Sequence, residues 1–211
     1  MDEMEKLEAA WLNLCAGLGI SSDIAKRIFL DFCRRYSEPQ RHYHGLSHII
    51  SCVKEFALIR AELRDRAAVL WAVFFHDAVY DPASFDNEEK SAKLAVLLAK
   101  EAGLSLEFQD KVARFILASK EHGCQEDFDA QAMLDIDLAI LGKEAFEFSE
   151  YETDIRREYS FLPEGEFRRG RGEILKEFLR RDSVYQTEFF RGRYELRARK
   201  NLAFALRSLE R

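Results

Sequence analysis

The chain has 211 residues, of which 47% are hydrophobic and 12% aromatic, enough to fill the core of one ordinary domain. Its formal net charge of -6 provides no general basic surface, so binding to long nucleic acids is disfavoured and an anionic ligand must be met by local positive charge. No apolar run reaches the length of a membrane span, and residues 1–6 lack the basic-then-apolar pattern of a signal peptide. We therefore expect a cytoplasmic protein.

Apolar residues recur at three- and four-residue spacings almost throughout, and only 3 prolines and 10 glycines interrupt them. This pattern predicts an all-α fold, and the absence of a linker or an internal repeat predicts a single domain over residues 1–211. The expected helices, in chain order, cover residues 4–18, 22–36, 46–63, 65–80, 88–102, 105–122, 129–141, 143–161, 167–180 and 187–210.

The fourth predicted helix is apolar on every side from Ala67 to Phe75, which is typical of a central helix surrounded by others. His76 and Asp77 follow directly and are expected in its last turns. A buried charge is costly unless it is paired, hydrogen-bonded or bound to a metal. The pair therefore suggests a metal site.

Asp137 is the distant carboxylate that fits such a site best. Its helical neighbours three and four residues away are all apolar, so its side chain is expected to point inward, whereas Asp135 should face another side of the same helix. The alternatives for Asp137 are a helix cap or a buried ion pair. His44 and His48 share a helix face only if their helix already includes His44, and Gly45 and Leu46 are alternative starting points.

A lone buried histidine is more often structural than a ligand, but four of the five histidines fall between residues 42 and 76. A mixed nitrogen and oxygen ligand set suits Mn, Fe, Co, Ni or Zn, and Mg less well. We expect one or two such ions per chain. The four cysteines, Cys15, Cys33, Cys52 and Cys124, have no CxxC or zinc-ribbon spacing and are expected as reduced thiols.

The order His48, His76-Asp77, Asp137 on separate helices resembles the HD superfamily of metal-dependent phosphohydrolases. Flanking segments resemble a bacterial branch of predicted HD-domain hydrolases of similar length, and they extend the resemblance over nearly the whole chain. These segments are YHGLSHI (43–49), FHDAVYDP (75–82), NEEKSA (87–92), LDIDLAILG (134–142), IRREY (155–159) and residues 171–201.

This resemblance implies an HD-domain helical bundle around the central apolar helix, with a metal held by His48, His76, Asp77 and Asp137. It also implies hydrolysis of a small phosphorylated metabolite, with a nucleotide favoured, through a metal-activated water. Two other functions stay open. One is a nucleotide-binding regulatory module without turnover, and the other is a di-iron oxygenase, which would need His44 and His122 as extra ligands.

Further catalytic roles beside Asp77 are hypotheses. Glu88 is a candidate general base, although an acid in a first helical turn is equally explained by the helix dipole. His122 is a candidate second-metal ligand or general acid. The candidates for contacts with the substrate phosphate are His44, Lys120, Arg156 and Arg171.

Overall fold

The computed structural model describes residues 2–120, 123 and 126–209. In these residues all regular structure is helical, which confirms the predicted all-α class. The helices are α1 (Glu3–Gly17), α2 (Ser22–Tyr36), α3 (Leu46–Ile59), α4 (Arg66–Phe75), α5 (Asn87–Glu101), α6 (Leu106–Ala118), α7 (Phe128–Asp137), a 3-10 helix (Leu138–Gly142), α8 (Ala145–Glu158), α9 (Glu164–Arg180) and α10 (Glu188–Leu209).

Local polar residues account for where several helices begin. The Asp2 side chain accepts the Glu5 backbone N–H at the start of α1, and Ser21 and Ser105 do the same for the third residue of α2 and of α6. Gly103 follows α5 with a φ of +77°, a conformation that residues with a side chain rarely adopt. The predicted starts of α2 and α6 therefore agree closely with the structure.

Helices α4 and α3 end earlier than predicted. Helix α4 stops at Phe75 instead of Tyr80, because the Ala78 N–H turns back to the Phe75 carbonyl in a tight turn. The apolar residues Ala78 and Val79 imitate a helical pattern without continuing the helix. Helix α3 likewise ends at Ile59, short of the predicted residue 63.

Helix α7 begins at Phe128, one residue before the predicted range of 129–141, and Asp127 is its cap. The buried Asp129 carboxylate instead accepts the backbone N–H groups of Arg64 and Asp65, at 3.0 and 2.7 Å. The α-helix ends at Asp137, and the residues predicted to continue it form the 3-10 helix.

Helix α4 is buried along its length. Every residue from Ala68 to Phe75 is buried, and the helix contacts α1, α3, α5, α6 and α7. The Trp11 ring of α1 packs at centroid distances of 5.2 to 5.7 Å against Trp71, Phe74 and Phe75. Aromatic packing of this kind fixes the position of a helix firmly. His76, the residue after α4, is therefore attached to a rigid part of the core.

Nearly all the buried hydrophobic residues form one connected cluster that runs from Leu7 to Ala205. Within the described residues, no helix has both the length and the apolar character needed to cross a bilayer. Cys15, Cys33 and Cys52 are free thiols, as expected, whereas Cys124 lies outside the described residues.

Candidate metal centre

Three of the predicted ligands converge from three different helices. His48 lies in the first turn of α3, His76 directly follows α4, and Asp137 is the last residue of α7. One ligand atom from each lies within 4.8 Å of the other two. The His48 Nε2 atom is 3.1 Å from His76 Nε2 and 3.2 Å from the Oδ1 atom of Asp137, which is itself 3.4 Å from His76 Nε2.

These spacings fit ligands around a common cation. Nitrogen and oxygen atoms bound at about 2.1 Å to one ion lie roughly 3.0 to 3.4 Å from each other. The hydrogen bond of His76 supports this arrangement, because its Nδ1 atom is 2.9 Å from the Val73 carbonyl oxygen and must donate to it. In the neutral imidazole the lone pair of His76 is therefore on Nε2, the atom that faces the cluster.

Asp77 lies beside these three residues, in the turn after α4. Its Oδ2 atom is 3.1 Å from His76 Nε2 and 3.8 Å from His48 Nε2. Asp77 is thus placed to complete a ligand set of two imidazoles and two carboxylates, which we call the metal cluster (His48, His76, Asp77 and Asp137).

The electrostatics of the metal cluster favour positive charge. Burial alone would lower the pKa of His76, but the carboxylates of Asp77 and Asp137 raise it well above its ordinary value. Burial would raise the pKa of Asp77, yet His76 holds it well below the ordinary value. Burial lowers the pKa of His48, which favours the neutral imidazole that can bind a metal. A site that attracts a proton so strongly also attracts a divalent cation.

Asp135 does not belong to the metal cluster, although it is only two residues from Asp137. Its fully buried carboxylate accepts the backbone N–H groups of Gln186 and Thr187, at 2.8 and 2.7 Å, and the Thr187 hydroxyl at 2.7 Å. Asp135 therefore fixes the segment that leads into α10. The two aspartates point to different sides of α7, as their apolar and mixed neighbours predict.

The metal cluster opens on a cleft of about 720 Å³, because Asp137 forms part of the cleft wall. Several predicted functional residues and three tyrosines share this wall. They are His44, Glu88, Lys120 and Arg171, together with Tyr43, Tyr151 and Tyr159. The cleft thus joins a possible metal site to local positive charge and to flat aromatic surfaces.

Lys120 and Arg171, the two predicted phosphate contacts of the cleft that carry a fixed positive charge, are already bound to protein groups. The Lys120 ammonium donates to the Phe85 carbonyl oxygen at 2.8 Å and to the Glu89 carboxylate. The Arg171 guanidinium pairs with Glu152 and donates to the Tyr151 hydroxyl at 2.9 Å. These contacts hold the Lys120 ammonium and the Arg171 guanidinium in position before any ligand binds.

Arg156, a predicted phosphate contact, is not brought to the cleft. Its guanidinium donates to Glu164 at 3.0 Å and to the carbonyl oxygens of Tyr159 and Leu162, at 2.7 and 3.2 Å. It therefore braces the turn between α8 and α9, beside the cleft-lining residues Tyr159 and Leu162, and its contact with a phosphate stays a prediction. His122, the candidate second ligand or general acid, lies outside the described residues.

The sequence interpretation missed Glu158. This residue is 4% exposed, and its Oε1 atom accepts the backbone N–H groups of His42, Tyr43 and His44, at 2.9, 2.8 and 2.9 Å. Its Oε2 atom lies 2.6 Å from His44 Nδ1 and accepts the Tyr80 hydroxyl at 2.7 Å. The apolar residues around it on the sequence, Ile155, Phe161 and Leu162, were a signal that could have found it.

Arg41 was also missed. Its buried guanidinium donates to the carbonyl oxygens of His44 and Asp77, at 3.0 and 2.7 Å, and lies over the rings of Tyr36 and Tyr80. It therefore joins the turn that carries His44 to the turn that carries Asp77. No local pattern around Arg41 indicates this role, because both carbonyl groups belong to loops.

Comparison of the chain with protein-family models, with curated proteins and with solved structures gave no match. Functional inference therefore depends on the geometry of the metal cluster and its cleft.

Proposed function

We propose that this protein is a metal-dependent phosphohydrolase with an HD-type helical bundle, in which α4 is the central helix. The observation that carries the proposal is the convergence of His48, His76 and Asp137, with Asp77 beside them, at the wall of a cleft that also holds Lys120 and Arg171. Such a site can bind a phosphoryl group through a metal and through fixed cations together.

The two imidazoles and two carboxylates would hold a divalent ion such as Mn, Fe, Co, Ni or Zn. When bound, the ion supplies an acidified water and polarises a phosphoryl oxygen. Lys120 and Arg171 would bind the other phosphoryl oxygens. Glu88, on the cleft wall in the first turn of α5, would accept a proton from water.

The proposed substrate is a small phosphorylated metabolite, with a nucleotide as the favoured class. A volume of about 720 Å³ falls within the range of small-molecule sites, roughly 300 to 1,000 Å³. Tyr43, Tyr151 and Tyr159 offer aromatic surface on which a nucleobase can pack. The net charge of -6 makes a long polyanion a poor substrate.

The test is elemental analysis of protein purified without chelators, followed by phosphate-release assays on a nucleotide panel with the metal found. Asp77→Ala should abolish bound metal and phosphate release while keeping its helix content. Asp110→Ala, at an exposed position of α6, is the matched control and should retain both.

Full phosphate release by the Asp77→Ala protein would refute the proposal. Thermal stabilisation of the natural protein by nucleotides, without any phosphate release, would instead identify a binding module.

A further inference from the structure

The contacts of Glu158 divide between its two carboxylate oxygens. Oε1 receives three consecutive backbone N–H groups, those of residues 42–44, and so holds the turn before α3 in place. Oε2 receives only side chains, namely His44 Nδ1 and the Tyr80 hydroxyl. Holding the backbone therefore uses one oxygen, and the other is committed to orienting the His44 ring.

Glu158 also determines which nitrogen of His44 carries hydrogen. Burial would raise the pKa of Glu158, but the contact with His44 lowers it to about 2, so the group is a carboxylate at neutral pH. A carboxylate only accepts hydrogen bonds, and His44 Nδ1 at 2.6 Å must therefore be an N–H donor. This places Nε2 on the opposite edge of the ring.

The Nε2 edge of His44 is available to a ligand. His44 forms part of the cleft wall, and its ring centroid is 5.9 Å from that of His48 in the metal cluster. Within residues 2–120, 123 and 126–209, no protein group forms a hydrogen bond with Nε2. The histidine is thus anchored to Glu158 at Nδ1, while its ring forms part of the cleft wall.

We propose that Glu158 is a positioning residue that acts through His44, so that His44 Nε2 accepts a hydrogen bond from the attacking water and orients it at the metal cluster. This inference rests on the proposed phosphohydrolase function. A carboxylate that fixes the tautomer and the direction of a histidine is a recurring device in hydrolytic sites.

Glu158→Gln separates the two tasks of this carboxylate. The glutamine oxygen can still accept the three backbone N–H groups, whereas its amide nitrogen replaces Oε2 and presents a donor to His44 Nδ1. The ring must then carry its hydrogen on Nε2, which can no longer accept a hydrogen bond from water. We expect kcat to fall about 100-fold or more, with KM and metal content nearly unchanged.

The double variant shows whether Glu158 acts through His44. His44→Gln should lower kcat by a similar factor, and adding Glu158→Gln to it should cause little further loss. Independent losses that multiply in the double variant, or a natural kcat in Glu158→Gln, would overturn the proposal. Glu55→Gln is the matched control, because Glu55 is also a buried glutamate bonded to a tyrosine hydroxyl, and its kcat should be unchanged.

Nitrogen-15 NMR of the histidine rings gives a reading that does not depend on turnover or on the folding of a variant. In the natural protein loaded with metal, His44 should carry hydrogen on Nδ1 and an unprotonated Nε2. Hydrogen on Nε2, alone or together with hydrogen on Nδ1, would overturn the proposal. If no substrate releases phosphate but the spectrum shows this tautomer, the proposed function fails, while the orientation of His44 by Glu158 stands.

Discussion

Helix α3 carries two buried polar clusters, seven residues apart, that are built in opposite ways. At Glu55, which is 2% exposed, the carboxylate receives the Tyr194 hydroxyl at 2.9 to 3.0 Å and the Lys143 ammonium. At His48, imidazole nitrogens and carboxylate oxygens face one another at 3.1 to 3.8 Å. Donors meet acceptors in the first cluster, whereas mainly acceptors are collected in the second.

This difference separates a cluster whose hydrogen bonds are complete from one suited to binding a cation. A buried group that has its hydrogen-bond partner adds to a fixed core and needs nothing else. Acceptors gathered around one point repel each other until a cation joins them. Burial and polarity alone would not distinguish His48 from Glu55, but the identity of the facing atoms does.

The largest expected effect comes from removing an acceptor of the metal cluster. Asp137→Ala should lower metal affinity by more than about 100-fold, beyond the 10- to 100-fold loss typical of outer hydrogen-bond partners, and phosphate release should fall to background. Elemental analysis and activity assays measure both effects. Stoichiometric metal in this variant would show that Asp137 is not a ligand.

A substitution in the Glu55 cluster should lower the stability of the protein and leave its metal content unchanged. Glu55→Ala removes the partner of both Lys143 and Tyr194, and we expect the free energy of unfolding to fall by about 3 kcal/mol. Urea unfolding at a fixed metal concentration measures this change. Loss of metal in a folded Glu55→Ala protein would contradict the distinction between the two clusters.

Metal binding should stabilise only a protein with an intact metal cluster. At a free metal concentration 100 times the dissociation constant, the gain is about 2.7 kcal/mol. Thermal unfolding with increasing metal, and again after a chelator, should show a reversible rise in Tm for the natural protein. The Asp137→Ala protein, as the matched control, should show no rise at the same metal concentrations.

Asp135→Ala is expected to have the smallest effect of these substitutions, and that effect should be confined to the segment that leads into α10. It frees the N–H groups of Gln186 and Thr187, and we expect a loss of about 1 to 2 kcal/mol, as for a lost helix cap. Its metal content should stay at the natural level. Equal loss of metal in Asp135→Ala and Asp137→Ala would show that the two aspartates act as one site.

The sequence predicted features that depend on local pattern. Helical periodicity revealed the all-α class, and the apolar run Ala68 to Phe75 indicated a buried helix because every one of its faces is apolar. The apolar residues three and four positions from Asp137 likewise predicted which side of α7 its carboxylate faces. Where local pattern was misleading, as at Ala78 and Val79 after α4, the predicted helix extended too far.

Contacts between distant segments could not be predicted in this way. Glu158 accepts hydrogen bonds from residues 114 to 116 positions earlier, and Asp135 accepts them from residues 51 and 52 positions later. Arg156 had the right chemistry for phosphate, but its direction is decided by the turn between α8 and α9. Side-chain type alone does not reveal which backbone groups a fold brings near.

The Oε1 atom of Glu158 controls how the backbone amides of residues 42–44 are exposed to solvent. Because three consecutive amide hydrogens share the Oε1 atom of Glu158, withdrawal of that one side chain exposes all three to solvent together. They should therefore share one protection factor against deuterium exchange, unlike amides in a helix that open one turn at a time. Slower exchange of this trio would report that the cleft wall has closed on a ligand, even one that is never hydrolysed.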